Sequence, residues 1–140
     1  VVSGGEDGMS WIWDINSGRP CQALPQYGDS TPVRRVIPVL DGIYVAVGHE
    51  SGRVNVYDWR SGWLKSTQAW DTNLLTMADF PAWGLMGLGF ADGYARLWNF
   101  QDNNGMRVPS GLKSREDWRA AIESLVNQVE RSAVGSNPLL

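Results

Sequence analysis

A short pattern recurs along this chain at intervals of about 40 to 45 residues. The stretch "SGGEDGMSWIWD" at 3–14 returns as "VGHESGRVNVYD" at 47–58 and as "LGFADGYARLWN" at 88–99. Each copy ends in Trp-Asp or a near substitute. A catalytic or phosphate-binding loop would occur once, whereas a structural unit recurs, and this interval is typical of a unit of about four strands. The pattern therefore predicts a repeat protein.

Within each copy, apolar residues alternate with a period of two, which predicts β-strands. The pairs Asp7-Gly8, Ser51-Gly52 and Asp92-Gly93 tolerate the positive φ of a tight turn, so each predicts a hairpin between antiparallel strands. Outer strands are predicted after Ser17-Gly18 and Ser61-Gly62. The segments predicted as the innermost strands of the following units are 33–39 and 74–80.

The repeated residues resemble a WD-repeat blade, which implies an all-β, WD40-type propeller. In that family an Asp in the tight turn bonds a Ser or Thr, a His and the Trp. The resemblance places Asp7, Ser3 and Trp13 at three of these positions, and Asp92 and Trp98 at two of them in the third copy. The His position departs from the pattern. His49 is expected after a second strand, where it could not take the place of the family's His.

The strand count predicts an incomplete ring at 1–109. It gives three strands of one blade, four of the next and three of the last, with one short outer candidate at 106–108. A closed propeller needs about four to eight blades. The chain is therefore expected to be the C-terminal portion of a larger propeller, about two and a half to three blades. The alternative is a half-ring completed by a second chain.

The period changes in the last segment, 110–140. Ser114 begins a predicted amphipathic helix, and Gly135 and Pro138 would end it. Its apolar residues recur at three- and four-residue spacing and form one stripe: Trp118, Ile122, Leu125, Val126 and Val129. The helix is expected either to lie on the propeller flank or to dock another subunit.

Composition excludes several kinds of site. One His and one Cys cannot supply a tetrahedral metal site, and His49 and Cys21 lie in different repeats. We therefore expect no enzyme activity and no cofactor, with Cys21 buried in the core. A net charge of −3 does not favour nucleic acid. The chain lacks the run of roughly 18 apolar residues needed for a membrane span. A single cysteine favours a reducing, intracellular location, cytoplasmic or nuclear.

Two hypotheses for the function follow. The first is a scaffold or adaptor subunit of a multiprotein complex. Its candidate binding face carries Glu6, Asp29, Glu50 and Asp71 beside Trp70, and suits a basic segment of a partner protein. The alternative is a substrate receptor of a cullin-RING ubiquitin ligase, because Asp58 and Arg60 resemble the Asp-x-Arg box of such receptors.

Overall fold

The computed structural model describes residues 1–27, 29–102 and 104–107, together with six residues further on: Glu116, Arg119, Ala120, Glu123, Ser124 and Asn127. These six are helical and exposed. The apolar stripe predicted for the C-terminal helix lies outside the described residues, as does the predicted domain boundary after residue 109. Both stay predictions.

Three antiparallel sheets follow one another along the chain. The first has three strands, β1 (Val2–Gly4), β2 (Ser10–Trp13) and β3 (Pro20–Leu24). The second has four, β4 (Val33–Val39), β5 (Tyr44–His49), β6 (Arg53–Asp58) and β7 (Leu64–Ala69). The third also has four, β8 (Leu74–Phe80), β9 (Leu85–Phe90), β10 (Ala95–Asn99) and β11 (Asn104–Arg107), with a 3₁₀ turn at Pro81–Trp83 between β8 and β9. Each sheet is a meander in which neighbours along the chain pair.

The structure confirms the predicted hairpins and inner strands. Gly8, Gly52 and Gly93 have φ of 78°, 99° and 83°, and each donates its N–H to the carbonyl three residues earlier. Strands β4 and β8 begin and end at the predicted residues. The count of three strands for the last sheet is wrong, because β11 pairs with β10 from Arg96–Arg107 to Asn99–Asn104 and supplies an outer strand.

The second sheet is covered on both faces, because its side chains alternate between two apolar clusters. Val45, Val47 and Tyr57 pack with Ile12 and Leu24 of the first sheet. The opposite face packs against the third sheet through a larger cluster that includes Ala46, Val54, Val56, Leu74, Met86, Leu88, Phe90 and Trp98. Face-to-face packing of successive sheets is how a propeller builds its core.

Candidate interaction surfaces

The strand connections emerge at two ends of the sheets. We call the acidic end the surface formed by 5–9, 25–27, 29–32, 50–52, 70–73 and 91–94. Backbone hydrogen bonds join its loops from one sheet to the next. Val33 N donates to Gly5 O at 2.9 Å, Glu50 N to Pro32 O at 2.8 Å, and Ala91 N to Asn73 O at 2.8 Å. These bonds hold the loops in fixed positions relative to one another.

In the first sheet, Trp13 is held directly by Ser3. The Trp13 Nε1 donates to Ser3 Oγ at 2.8 Å. The exposed Asp7 carboxylate accepts from Met9 N at 3.0 Å, inside its own turn. Asp7 therefore braces the hairpin that it belongs to.

Asp29 lies at the centre of a polar network in the second sheet. Its carboxylate accepts hydrogen bonds from Thr31 N at 2.8 Å, from Thr31 Oγ1 at 2.6 Å and from Ser51 Oγ. Its side chain is only 8% exposed. Burial opposes ionisation, but the hydrogen bonds from Ser51 and Thr31 outweigh it and hold the pKa of Asp29 below its usual value. The structure thus corrects the assignment of Asp29 to the exposed binding face.

His49 joins the same region from the strand side. It is the last residue of β5, is 2% exposed, and its Nδ1 lies 3.0 Å from Thr31 O. His49 ends the second strand of its sheet, close to its predicted place, and its ring contacts the loop before β4 instead of taking the family's His position. In this sheet the carboxylate comes from the loop and the histidine from the strand. The WD-repeat resemblance implies the opposite arrangement.

The network continues through side chains that the sequence did not single out. Arg53 Nη1 donates to Thr67 Oγ1 at 3.0 Å, and Thr67 Oγ1 donates to Asn55 Oδ1 at 2.6 Å. Tyr57 Oη donates to Pro25 O at 2.6 Å, and burial raises the pKa of Tyr57 to about 12. The phenol therefore stays protonated and keeps donating to the β3–β4 loop. Asn55 is fully buried. The sequence signal for the network is an Asn between two valines, Val54 and Val56, because a polar side chain inside a strand needs a hydrogen-bond partner.

The third sheet braces its turn differently. Asp92 accepts from Tyr94 N at 3.0 Å and pairs with Arg96, whose Nη2 lies 2.8 Å from Asp92 Oδ2. The Arg96 guanidinium also lies 4.7 Å from the centroid of the Phe90 ring. Trp98 is fully buried and meets Trp70 edge to face at 5.7 Å.

Three members of the predicted acidic face remain at the surface. Glu6 and Asp71 are exposed. Glu50 pairs with Arg34 at 3.1 Å, a cation that the sequence argument did not count. Trp70 is half-buried, with its ring 5.3 Å from Phe90, so one part of it is anchored in the core.

We call the aromatic end the opposite surface, formed by 14–19, 40–43, 59–63, 81–84 and 100–102. The residue that closes each repeat caps the following turn here. Asp14 Oδ1 accepts from Asn16 N at 2.9 Å, Asp58 Oδ1 from Arg60 N at 3.0 Å, and Asn99 Oδ1 from Gln101 N at 3.1 Å. The bond from Asn16 N is the main cause that lowers the pKa of Asp14. The recurrence of Asp or Asn at this position thus has a structural cause.

The candidate ligase box lies at the aromatic end. Arg60 is exposed, and its guanidinium carbon lies 5.1 Å from the centroid of the Trp59 ring. Trp59 Nε1 donates to Gly42 O at 2.7 Å, which ties the β6–β7 turn to the β4–β5 turn.

Cys21 is exposed, so its predicted burial is wrong. It belongs to β3, an outer strand, and outer strands are covered less than inner ones. Among the described residues, no group of three His, Cys, Asp or Glu side chains could hold a metal ion. In the same part of the chain, no helix is long and apolar enough to cross a membrane.

Comparison with known proteins defines the fold. No family model matches the sequence, and no curated protein matches it. Among solved structures, the chain is similar to the β-propeller domain of Cps50 (Swd1) from Myceliophteria thermophila, with a TM-score of 0.68 and 18% sequence identity. The match covers 83% of this chain and 38% of that one. The chain has the β-propeller fold that the WD-repeat resemblance implies, and it spans well under half of the matched propeller chain.

Proposed function

We propose that this chain is a non-catalytic protein-interaction module that serves as a subunit of a multiprotein complex, and that its acidic end binds a basic segment of a partner protein. The observation that carries the proposal is the exposure of Glu6 and Asp71. In the described part of the chain, neither carboxylate pairs with a cation or accepts a hydrogen bond. Both therefore remain available to a partner.

The surroundings of these carboxylates favour binding. The loops are joined by backbone hydrogen bonds between sheets, so little loop entropy would be lost on association. Trp70 offers a partly exposed indole anchored on Phe90, and such aromatic residues often dominate binding energy. Exposed charges chiefly accelerate encounter, so we expect their effect to fall on the association rate.

The experiment compares charge reversals of equal size. One variant carries Glu6→Lys and Asp71→Lys, and the matched control carries Glu116→Lys and Glu123→Lys, which change exposed helical residues by the same net charge. The probe is a fluorescent peptide that alternates arginine with tryptophan and glycine. At low salt we expect the first variant to slow association by about tenfold and to flatten its salt dependence. An equal fall in association rate for both variants would mean that net charge alone causes the effect, and it would overturn the proposal.

A second contact is proposed for the C-terminal segment 110–140, as a helix that docks through Trp118, Ile122, Leu125 and Val129. The described residues Glu116, Arg119, Glu123 and Asn127 support it, because they are helical, exposed and spaced to share one polar face. Replacing Leu125 and Val129 by serine should leave the thermal stability unchanged if the apolar stripe does not pack on the rest of the chain. A loss of thermal stability would indicate that the stripe is packed.

The ligase-receptor alternative is favoured by the placement of Arg60. Its guanidinium is exposed and lies over Trp59, so it is accessible to a partner. Tyr57 stands where the box usually has Trp, which weakens the resemblance. Capture of the purified ligase adaptor by wild type, by Arg60→Ala and by the control Arg35→Ala tests it. Capture that is lost only with Arg60→Ala supports the alternative, and no capture by wild type removes it.

A further inference from the structure

The third sheet has two faces, and the second sheet covers only one of them. Met86 and Trp98 point toward the second sheet and belong to the larger apolar cluster. Because successive side chains alternate along a strand, Leu85 and Leu97 point to the opposite side, which we call the outer face. One repeat earlier, the position of Leu97 is held by Val56, on which the third sheet packs. The outer face is therefore equivalent to a face that is covered in the second sheet.

The outer face is covered unevenly. Leu85 and Leu97 are only 1% and 5% exposed, although among the described residues they join neither apolar cluster. Thr76 and Ala78, on the same face, are exposed, as expected for a sheet face without a covering layer. Phe80 folds over β9 and accounts for part of the burial. The burial of the two leucines indicates a further layer over β9 and β10 that leaves β8 open.

A groove crosses the open part of this face. Its volume is about 260 Å³, and Gly87 and Gly89 form its floor between Ala78, Phe80 and Leu97. This volume is below the range of about 300–1,000 Å³ that is typical of small-molecule sites. The groove therefore suits apolar side chains from another part of a protein better than a free ligand.

The other two repeats show what such a groove receives. A Cβ on Gly4 would overlap Val33 of the second sheet, and a Cβ on Gly48 would overlap Leu74 of the third. Gly89 holds the same position in the third repeat. Among the described residues, a Cβ there would meet only a side chain of its own sheet. The described part of the chain thus leaves this position open to an apolar side chain.

The segment that follows β11 can reach the outer face. Strand β11 pairs with β10 and ends at Arg107. Ten residues lie between Arg107 and Trp118, and an extended chain of that length spans up to about 33 Å. The distance from β11 to β9 is two strand spacings, or about 10 Å. The connection is therefore long enough to bring the predicted apolar stripe onto the third sheet.

The described residues of this segment agree with such a placement. Glu116, Arg119, Glu123 and Asn127 are helical and exposed, and their spacing puts them on one side of a helix. The predicted apolar stripe falls on the opposite side, and a helix of this length needs an apolar surface to be stable. A short connection gives the segment a high effective concentration at the outer face. The tether therefore favours this segment over a free partner.

We propose that the C-terminal segment 110–140 caps the outer face of the third sheet. Trp118 enters the groove over Gly89, and Ile122 packs on Leu97. The proposal rests on the helix proposed above as a second contact, and it names the surface to which that helix docks. A capped outer face cannot pack on a further propeller sheet. The segment thus competes with any other sheet for this surface.

Alkylation of an introduced cysteine tests the cap on the full 140-residue chain. Cys21→Ser removes the native thiol, and Leu97→Cys places a reporter under the proposed cap. The change that detaches the stripe is Trp118→Ser with Ile122→Ser. We expect iodoacetamide to react slowly with the reporter, and at least about tenfold faster once the stripe is detached.

Matched variants control for side effects. Arg119→Ser with Glu123→Ser changes the exposed side of the same helix and should leave the rate unchanged. Ala78→Cys, on the open part of the face, should react fast in every background. Ala95→Cys replaces Leu97→Cys as the reporter if circular dichroism shows that the latter unfolds the chain.

Dilution identifies the source of the cap. Protection by the same chain does not change over about a hundredfold dilution, whereas protection by a second copy falls. Loss of protection on dilution would overturn the proposal. Fast alkylation of the reporter in the folded chain would do the same, as would equal rates in the stripe variant and its control.

The outcomes also separate this proposal from the preceding ones. If Leu125→Ser with Val129→Ser lowered the thermal stability without changing the alkylation rate, the helix would dock on another surface. The second contact would then stand, and the cap would be rejected. The variant with Glu6→Lys and Asp71→Lys should leave the alkylation rate unchanged. A failure of the proposed function at the acidic end is thus distinguishable from a failure here.

Discussion

The tight turns of the second and third sheets have nearly the same backbone and very different surroundings. Gly52 and Gly93 both have positive φ, 99° and 83°. A Cβ on Gly52 would overlap the carbonyl oxygens of Trp70 and Thr72, whereas a Cβ on Gly93 would meet nothing within 4 Å in the described part of the chain. The glycine of the second sheet is needed for conformation and for space, and that of the third for conformation alone.

The carboxylates of the two turn regions differ in the same way. Asp29 reaches the turn of the second sheet from the preceding loop, and its side chain is 8% exposed. Asp92 belongs to the turn of the third sheet itself, and its side chain is 33% exposed. A repeated sequence motif can therefore be braced inside the fold in one copy and at the surface in the next. Contacts with the neighbouring loop, which the motif does not contain, decide which occurs.

The largest expected effect concerns Gly52→Val. We expect it to lower the free energy of unfolding by more than about 3 kcal/mol, because it combines overlap with two carbonyls and a β-branched residue at positive φ. Gly93→Val meets only the conformational cost, about 1–2 kcal/mol. Chemical denaturation of the two variants measures the difference. Equal losses in the two variants would contradict the difference in packing around Gly52 and Gly93.

The second prediction concerns the carboxylates. Asp29→Ala leaves the half-buried donors of Thr31 and Ser51 without their acceptor, so we expect a loss of about 2 kcal/mol in the free energy of unfolding. Asp92→Ala acts at a more exposed site with an ion pair, where we expect less than about 1 kcal/mol. Asp29→Asn serves as a control, since it keeps an acceptor. A larger loss in Asp92→Ala than in Asp29→Ala would contradict the prediction that the buried carboxylate stabilises its turn more than the exposed one.

The sequence predicted what local periodicity determines. Strands β4 and β8 have the predicted bounds, because the repeat places an innermost strand between the outer strand of one copy and the tight turn of the next. Strand β11 begins earlier than the outer candidate predicted at 106–108, because Asn104 and Gly105 are residues depleted in strands. Its pairing with β10 comes from the free edge of the sheet, which overrides that weak local preference.

The polar contacts were harder to predict, since they join residues distant in sequence. Asp29 and Ser51 are 22 residues apart, and Tyr57 and Pro25 are 32 apart. A charge count along the loops therefore placed Asp29 with Glu6 and Asp71, although its hydrogen bonds turn it inward. Arg34 and Glu50 show the same limit, because Arg34 lies in β4 and a count of loop charges leaves it out.

The third prediction tests the Asp29 network through pH. Hydrogen bonds from Ser51 and Thr31 lower the pKa of Asp29 in the fold, so ionised Asp29 stabilises the fold above the pKa of the unfolded chain. This contribution is lost as the pH falls through the lower, folded pKa. The difference in unfolding free energy between wild type and Asp29→Asn should shrink between about pH 6 and about pH 2. A difference that is constant over this range would mean that the charge of Asp29 contributes nothing.

The smallest effect is expected at Asp79, through which the third sheet holds the β4–β5 turn of the second. Its carboxylate accepts from Leu40 N at 3.1 Å, while burial raises its pKa above the usual value, and its Oδ1 is buried without a partner among the described residues. For an acid with a raised folded pKa, ionisation destabilises the fold at neutral pH, and the penalty vanishes below the unfolded pKa. Asp79→Asn removes the charge and keeps an acceptor for Leu40. We therefore expect a gain of about 0.5 kcal/mol in unfolding free energy near pH 7 and no gain below about pH 3.5. A loss at neutral pH would show that the charge itself secures the turn, so that Asp79 acts on the second sheet as Asp29 does.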